Sequence, residues 1–446
     1  MEQNIIPEGY KQTDIGVIPD DWSVDSFDRI CNVNQGLQIP IEQRKKNPSV
    51  HSKVYITIKS IGSNDAPEYI DEYSKSVCCD SDDVLMTRTG NTGIVVTGVN
   101  GVFHNNFFKI NFNRNEINAK YFVYYLRSRD CQKSILDKAG TSTIPDLNHG
   151  DFYSIQMAYP VFKEQTAIAN ALSDVDALIP SIEKLIAKKQ AIKTATMQQL
   201  LTGNKRLPPF DIYQETDLAV IQGDKKIGQS KGTQQTELGE IPEDWGVETI
   251  SSISAVPMQN GLFYEPSRKG QGISLINVGD MYKSAPIDVE QLELFNANIA
   301  EIKTFRVSSG DLFFTRSSIV PSGIAFCNIY ESENVVRDVV FDSHLIRVRA
   351  NAKMADAKYV YLACLSNLAR KFLISSAKTA TMTTIDQGAI KNCPIILPSL
   401  GEQKLIINIL SDMDFELGSI KSRLAKTQQI KQGMMQELLT GKTRLL

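Results

Sequence analysis

The sequence predicts an α+β protein with a pseudo-twofold internal repeat: two mixed α/β domains separated by a long antiparallel two-helix coiled coil. Three observations carry this. First, the chain is written twice. Thr13-Asp14-Ile15-Gly16-Val17-Ile18-Pro19-Asp20-Asp21-Trp22 returns as Thr236-Glu237-Leu238-Gly239-Glu240-Ile241-Pro242-Glu243-Asp244-Trp245, which places the only two tryptophans at equivalent positions. Asp83-Val84-Leu85-Met86-Thr87-Arg88-Thr89 is matched by Asp311-Leu312-Phe313-Phe314-Thr315-Arg316-Ser317. Residues 119–207 align without a gap to 357–445, with 33 identities in 89 positions. Second, the similarity is uneven: 23 of those identities fall in the last 44 positions, while 25–82 and 248–310 barely resemble each other. One part of each copy does the same job twice, and the other does two different jobs on a common scaffold. Third, both similar parts carry apolar residues at a period near 3.5.

The elements follow in order. Residues 1–160 and 236–398 mix short β-rich runs, such as 53–61 and 93–99, with Gly/Asn/Pro turns. Each also holds a helix opened by Asn118 or Asp356, residue types that cap helix N-termini before Ala-Lys-Tyr. Residues 161–207 and 399–446 are long helices, entered after Pro160 or Pro398 and closed by Thr-Gly at 202–203 or 440–441. Pro180 should kink or break the first. Residues 208–235, with Pro208-Pro209 and a Gln/Lys/Gly/Thr-rich stretch, read as a linker or a loosely packed connection.

In the first long helix Ile168, Leu172, Val175, Ile179, Ile182 and Ile186 recur at alternating spacings of four and three, continuing through Lys189 and Lys193 to Leu200. In the second, Ile406, Leu410, Met413, Leu417, Ile420 and Leu424 share the register, which then runs through Thr427 and Lys431 to Met434 and Leu438. About 37 residues at ~1.5 Å each make a rod of ~55 Å. A lone helix with a bare apolar stripe is unstable in water, so packing against each other buries both seams at once. An antiparallel pair would put the two domains at opposite ends of a rigid spacer.

Composition bounds the function. With 446 residues the chain is too long for one ordinary domain, and 42% apolar with 22% charged residues is globular composition. The net charge of −3 advertises no overall basic field. No apolar run approaches the ~18–20 residues of a membrane span, and the start is not a secretory signal. Seven cysteines without a Cys-x-x-Cys pair fit a reducing cytoplasm better than a disulfide framework.

A catalytic set is hard to assemble. Gly441-Lys442-Thr443 lacks the upstream glycine of a phosphate-binding loop, because Gln436 stands there. The four histidines lack metal-ligand spacing. Glu402-Gln403-Lys404 has the form of the tail of a nuclease motif, but its counterpart Glu164-Gln165-Thr166 has no lysine. Asp174 with Asp176 and Asp412 with Asp414 sit at i and i+2 on a helix, where side chains point apart, so a solvated or partner-facing edge is the better account.

The stretch from Pro398 to Leu445, with Gly-Glu-Gln-Lys, Leu-Ser-Asp-Met-Asp and Met-Gln-Glu-Leu-Leu-Thr-Gly-Lys-Thr-Arg-Leu, resembles the specificity subunit of type I restriction–modification systems. Gly239–Trp245 and Gly310–Arg316 resemble it too, and the likeness runs through the whole chain in family order. It implies two target-recognition domains (1–160 and 236–398), spacer helices (161–207 and 399–446), and a subunit with no catalytic activity of its own. It also implies as partners double-stranded DNA, two methyltransferase subunits and restriction (translocase–endonuclease) subunits. S-adenosylmethionine, ATP and Mg would belong to those partners, with no cofactor or metal in this chain. A helical scaffold that joins enzyme subunits without reading sequence is the competing account.

Unlike domains on like helices suit an asymmetric, bipartite site, whose half-sites lie ~34–36 Å apart or a multiple of that. Candidate DNA contacts are Arg44, Lys45 and Lys46 in the first domain and Arg268 and Lys269 in the second, which otherwise form solvated charge runs. Arg88 and Arg316 either reach a groove or form a structural ion pair within the repeated scaffold. Asn34 and Gln35, with Gln259 and Asn260, supply amides of the type that pair adenine, and such residues also make turns. Residues 1–160 hold 16 Lys/Arg against 20 Asp/Glu, and 236–398 hold 15 against 18. The basic residues must then gather on one face, or the partners must supply phosphate affinity, which implies weak DNA binding by this chain alone.

Overall fold

The computed structural model describes residues 6–62, 65–140, 145–263, 265–283, 285–332, 338–379 and 382–445. The chain divides into two compact units: residues 1–184 with 421–446, and residues 185–420. Each unit thus holds one β-rich domain, part of the helix that follows it in sequence, and part of the other long helix.

In the first unit the hairpin Tyr10–Thr13/Gly16–Pro19 leads into Ser23–Ser26, which pairs antiparallel with Gln156–Tyr159 and so ties the start of the domain to its end. Between them lie two four-stranded sheets. One has the order Cys31–Gln35, Phe107–Phe112, Val84–Thr87, Val95–Val96; the other has Tyr69–Ile70, Lys53–Ile56, Gly101–Phe103, Cys78–Cys79, with the middle two strands parallel.

The second unit repeats the plan. The hairpin Thr233–Thr236/Gly239–Pro242 precedes Gly246–Thr249, which pairs with Pro394–Leu397. Its first sheet runs Gln259–Asn260, Leu345–Arg349, Asp311–Thr315, Cys327–Ile329, and its second runs Glu293–Phe295, Lys269–Ile276, Val339–Phe341, again with one parallel pair. The dissimilar stretches 25–82 and 248–310 therefore share a topology. The matched strands Val84–Thr87 and Asp311–Thr315, each buried throughout, take corresponding places in the two sheets.

Asn118 caps Ala119–Arg127 by accepting from the amides of Lys120 and Tyr121, and Asp356 caps Ala357–Leu365 through the amide of Lys358. Both domains hold more helix than the sequence predicts. Ser128 and Ser366 end these helices in extended conformation, and their hydroxyls cap second helices, Arg129–Ala139 and Asn367–Ser375.

The long helices are Phe162–Leu201 and Leu400–Leu438. The first is not broken at Pro180, which lies inside it with the ring exposed. Within each unit the helix segments pair antiparallel, one number falling as the other rises. In the first, Asp176 accepts from Lys431 at 2.6 Å; in the second, Lys189 meets Glu416 at 2.6 Å and Lys193 meets Asp414 at 2.5 Å. The acidic residues at i and i+2 are thus split, with Asp176 and Asp414 paired to a lysine of the other helix, and Asp174 and Asp412 exposed with no such pair among the described residues.

Every seam position is buried or half-buried, but they do two jobs. Ile168 and Leu172 belong to the core of the first domain, with Trp22, Tyr121 and the far end of the other helix at Leu438 and Leu439. Ile406 and Leu410 do the same in the second, with Trp245, Tyr359, Leu200 and Leu201. The ends of the seam are thus domain core. Val175, Ile179, Ile182 and Ile186 in the first helix, and Met413, Leu417, Ile420 and Leu424 in the second, lie between those ends.

The stretch 208–235 is not a loose linker. Tyr213 Oη donates to Glu243 at 2.6 Å, and Lys231 Nζ, almost fully buried, bonds Asp244 at 3.0 Å and Asp217 at 3.2 Å. These buried and charge-assisted bonds give an otherwise polar segment a reason to pack.

Candidate nucleic-acid interface

Most candidate contacts are already engaged within their own domain. Arg44 donates to Glu68 at 3.0 Å and twice to the Ile39 carbonyl, and its guanidinium lies over the Tyr55 ring at 5.1 Å. Lys45 is paired with Asp71, whose carboxyl the Lys45 and Ser49 hydrogen bonds hold below the ordinary carboxylate range. Arg268 bonds Glu301 at 3.0 Å and the Asn296 carbonyl, and stacks 4.5 Å over Phe295. Lys269 meets Glu293 at 2.9 Å. Lys46 alone of that group is exposed with no ion pair or hydrogen bond among the described residues.

The amides are spread likewise. Asn34 Oδ1 accepts from Asn111 at 2.7 Å, Gln35 Nε2 donates to the Asn105 carbonyl at 3.2 Å, and Gln259 Nε2 donates to the Thr304 carbonyl at 3.2 Å. Asn260 Oδ1 accepts from Gln387 Nε2 at 3.0 Å, so together the pair still presents one amide donor and one carbonyl acceptor.

The two repeated arginines diverge although their backbones agree. Arg88 N–H donates to the Asn106 carbonyl at 2.7 Å, and Arg316 N–H to the His344 carbonyl at 2.8 Å. The Arg88 carbonyl accepts from Leu147 N–H, and that of Arg316 from Ile385 N–H. The Arg88 side chain then turns inward. It pairs with Asp146 at 2.9 Å, donates to the Leu147 carbonyl at 3.2 Å, and lies 5.4 Å over the Phe108 ring. Arg316 is exposed, and among the described residues its guanidinium has no hydrogen bond, ion pair or ring contact.

Arg316 lines a half-open groove of about 650 Å³ in the second domain, together with Asn260, His344, Lys378, Thr384 and Gln387, over an apolar floor at Ile346. His344 is held by a 2.8 Å contact from Nδ1 to Asp342. Asp386, also on the groove, is occupied as the helix cap of Gln387–Lys391, with Lys378 at 3.8 Å. The structure thus brings Arg316 and Asn260 into one concavity and leaves the other candidates out of it. His344, Lys378, Thr384 and Gln387 were not legible as a set, because a turn before Leu345–Arg349, the paired strands Lys378–Thr379 and Thr383–Thr384, and the short helix Gln387–Lys391 supply them. One signal was present: in the gapless alignment Asp146 falls opposite Thr384.

A second repeated feature concerns the ends of the long helices. Arg444 donates from Nε and Nη2 to Glu164, both at 2.8 Å, and from Nη1 to Asp21 at 2.9 Å. Arg206 does the same with Glu402 at 2.9 and 3.0 Å and with Asp244 at 2.8 Å, while Trp245 Nε1 donates to Glu402 at 2.9 Å. Bonds from Glu164 and then Asp21 hold the Arg444 guanidinium above its ordinary range. The buried amides of Gln165 and Gln403 close the start of each helix, accepting from Asn118 N–H and Asp356 N–H at 2.8 Å and donating to carbonyls of their own domain. The Glu-Gln pair is therefore a docking device: its carboxylate is spent on the clasp arginine and its amide on the backbone of its own domain. Gly441 is a helix end at φ +73°, where a Cβ would collide with the Pro19 ring.

Among the described residues no three His, Cys, Asp or Glu side chains come together as a metal site, and no helix is long and apolar enough to cross a membrane.

A family profile described as the type I restriction modification DNA specificity domain matches residues 19–194 and again 242–432. The chain belongs to this family. It is a specificity subunit of a type I restriction–modification system, with two DNA-recognition domains. The Type I restriction enzyme MjaVIII specificity subunit of Methanocaldococcus jannaschii is 22% identical over 442 residues, covering 98% of this chain and 96% of that one. In fold, the specificity subunit is similar to a chain from a structural study of complex assembly and conformational transition of the type I R-M system. That match has TM-score 0.55 and 16% identity, covering 96% and 99% of the two chains. The S subunit from M. genitalium matches at TM-score 0.50 and 14% identity, over 94% and 96%. The carboxylates of the clasps, Asp21, Glu164, Asp244 and Glu402, lie inside the two matched stretches, and each arginine follows just beyond one of them. The arginine groove differs between the copies.

Proposed function

We propose that this specificity subunit reads a split DNA sequence, each β-rich domain contacting one half of the target. The paired helices serve as the spacer and as the frame on which two methyltransferase subunits dock. Restriction (translocase–endonuclease) subunits join the same assembly. S-adenosylmethionine, ATP and Mg belong to those partners, so the chemistry is theirs and this chain acts without a catalytic residue of its own, in the cytoplasm where the chromosome lies.

The observation that carries this reading is one topology built twice with unlike surfaces: Arg88 is pinned to Asp146, while Arg316 stands open over a groove. A scaffold that only joined enzymes would have no use for that difference. Two helices that share about half of their residues also offer equivalent seats to two identical subunits. Genome-wide adenine-methylation mapping, with and without this gene, tests the proposal. A two-part motif that vanishes with the gene supports it; an unchanged methylation pattern rejects it in favour of the scaffold.

A further inference from the structure

We infer that Arg316 reads a guanine in the half-site of the second domain, whereas its repeat counterpart Arg88 is a structural brace that reads nothing. The residue facing each arginine decides the difference. This rests on the reading of the chain as a two-domain DNA reader.

Both arginines leave the end of the same strand of the same sheet, after Val84–Thr87 and Asp311–Thr315. Each is followed by a residue bridged to the opposing loop: Thr89 to Asp146 in the first domain, Ser317 to Thr384 in the second. The position across the bridge is therefore Asp146 in one copy and Thr384 in the other. The ring beneath changes too, since Phe108, which opposes Met86, corresponds to Ile346, which opposes Phe314. Arg88 thus keeps a carboxylate, a carbonyl and an aromatic face. Arg316 has lost the carboxylate and the ring together.

The consequence is energetic. To contact a base, Arg88 would first give up charge-assisted bonds and leave the Asp146 carboxylate facing the phosphates. Arg316 gives up no hydrogen bond or ion pair among the described residues. Its guanidinium is a planar, permanently charged fork, and the commonest specific protein–DNA contact is such a fork donating to O6 and N7 of guanine. The groove supplies the rest. Lys378 lies beside it as a cation for the backbone, and the Asn260–Gln387 pair offers a neighbouring base edge one donor and one acceptor. The floor at Ile346 is apolar and makes no competing bond.

The test uses the full chain in its own cells, with the gene replaced by variants and modified adenines mapped across the genome. Arg316→Ala, a change at an exposed position, is expected to abolish the preference for one guanine in one half of the motif. A good bidentate contact gives discrimination of about 10–100-fold, and this should fall to near unity while the other half stays intact. Thr384→Asp, which restores the pinning carboxylate, is expected to relax the same position. Arg88→Ala is expected to lower the melting temperature of the purified chain without changing any base of the motif. An Arg316→Ala motif identical to wild type, or a uniform loss of methylation with no base relaxed, overturns the inference, the latter marking a phosphate contact. If wild type itself shows no motif dependent on this gene, the functional reading has failed, and the inference falls with it.

Discussion

Arg444 grips Glu164 with two parallel bonds of 2.8 Å, joining residues 280 positions apart in sequence. The carboxylate is buried and the arginine is mostly so, at 2% and 22% side-chain exposure. This contact and its twin, Arg206 with Glu402, fasten the segment just past the end of one long helix to the first turn of the other, each within its own unit. Removing one partner of such a pair strands a desolvated charge.

Glu164→Ala and Glu402→Ala are each expected to destabilise their unit by about 3 kcal/mol, the cost of breaking a buried pair. Glu402→Ala should be the worse, because it also orphans the Trp245 indole N–H. Asp21→Asn, at a carboxylate 58% exposed, should cost under about 1 kcal/mol. Denaturant unfolding followed by tryptophan fluorescence reports both sites, since Trp22 and Trp245 lie one in each unit.

The same clasp sets an acid limit. Burial pushes the Asp244 carboxyl up, but hydrogen bonds from Arg206 and Lys231 outweigh it and leave the group below its ordinary range. A folded-state value below the unfolded one of about 3.9 gives stability that is fully present above that pH and lost as pH falls through the folded value. Asp244→Asn should therefore lower the melting temperature between pH 5 and 7 (roughly the plateau), and the difference should shrink as pH falls through the folded value. A difference that persists unchanged into strong acid would refute the assignment.

Leu410 is fully buried in the second domain's core although it lies on the long helix. Leu410→Ala is expected to cost about 3 kcal/mol by leaving a cavity. Leu424→Ala, half-buried on the seam, should cost about 1 kcal/mol, since less area is lost. Thermal unfolding of the two variants checks the order.

Among the described residues Lys46 has no ion pair or hydrogen bond, while Arg44 and Lys45 are bound within the fold. If it meets phosphate in the assembled complex, Lys46→Ala should reduce the slope of log affinity against log salt by about 0.9, equally for every sequence. Arg44→Ala should instead destabilise the domain. The isolated chain, with more acidic than basic residues in both domains, should bind DNA weakly in gel-shift titration; tight, sequence-specific binding without partners would contradict this.

The repeat, the helix seam and the two capped domain helices were legible because they are periodic or local: identity at a fixed offset, apolar residues every three or four positions, Asn118 and Asp356 before Ala-Lys-Tyr. The second helices opened by Ser128 and Ser366 were missed, because a serine cap gives a weaker signal than a sequence repeat. Pro180 misled because the rule that proline breaks helices describes an isolated segment, whereas Asp176, four residues before it, is held by Lys431 and by Tyr124 at 2.7 Å. Sequence also left the role of Ile168 and Ile406 undecided, since seam and domain core share one apolar pattern.

By itself the amino-acid order determined the doubling, the α+β class, the long apolar stripes and the family. Tertiary structure alone decided which arginine is spent and which is free. Charge and residue type are identical at 88 and 316, so nothing local separates them. The difference lies in Asp146 and Thr384, nearly sixty and seventy positions downstream in their copies, which meet their arginines only when the β-bridges close.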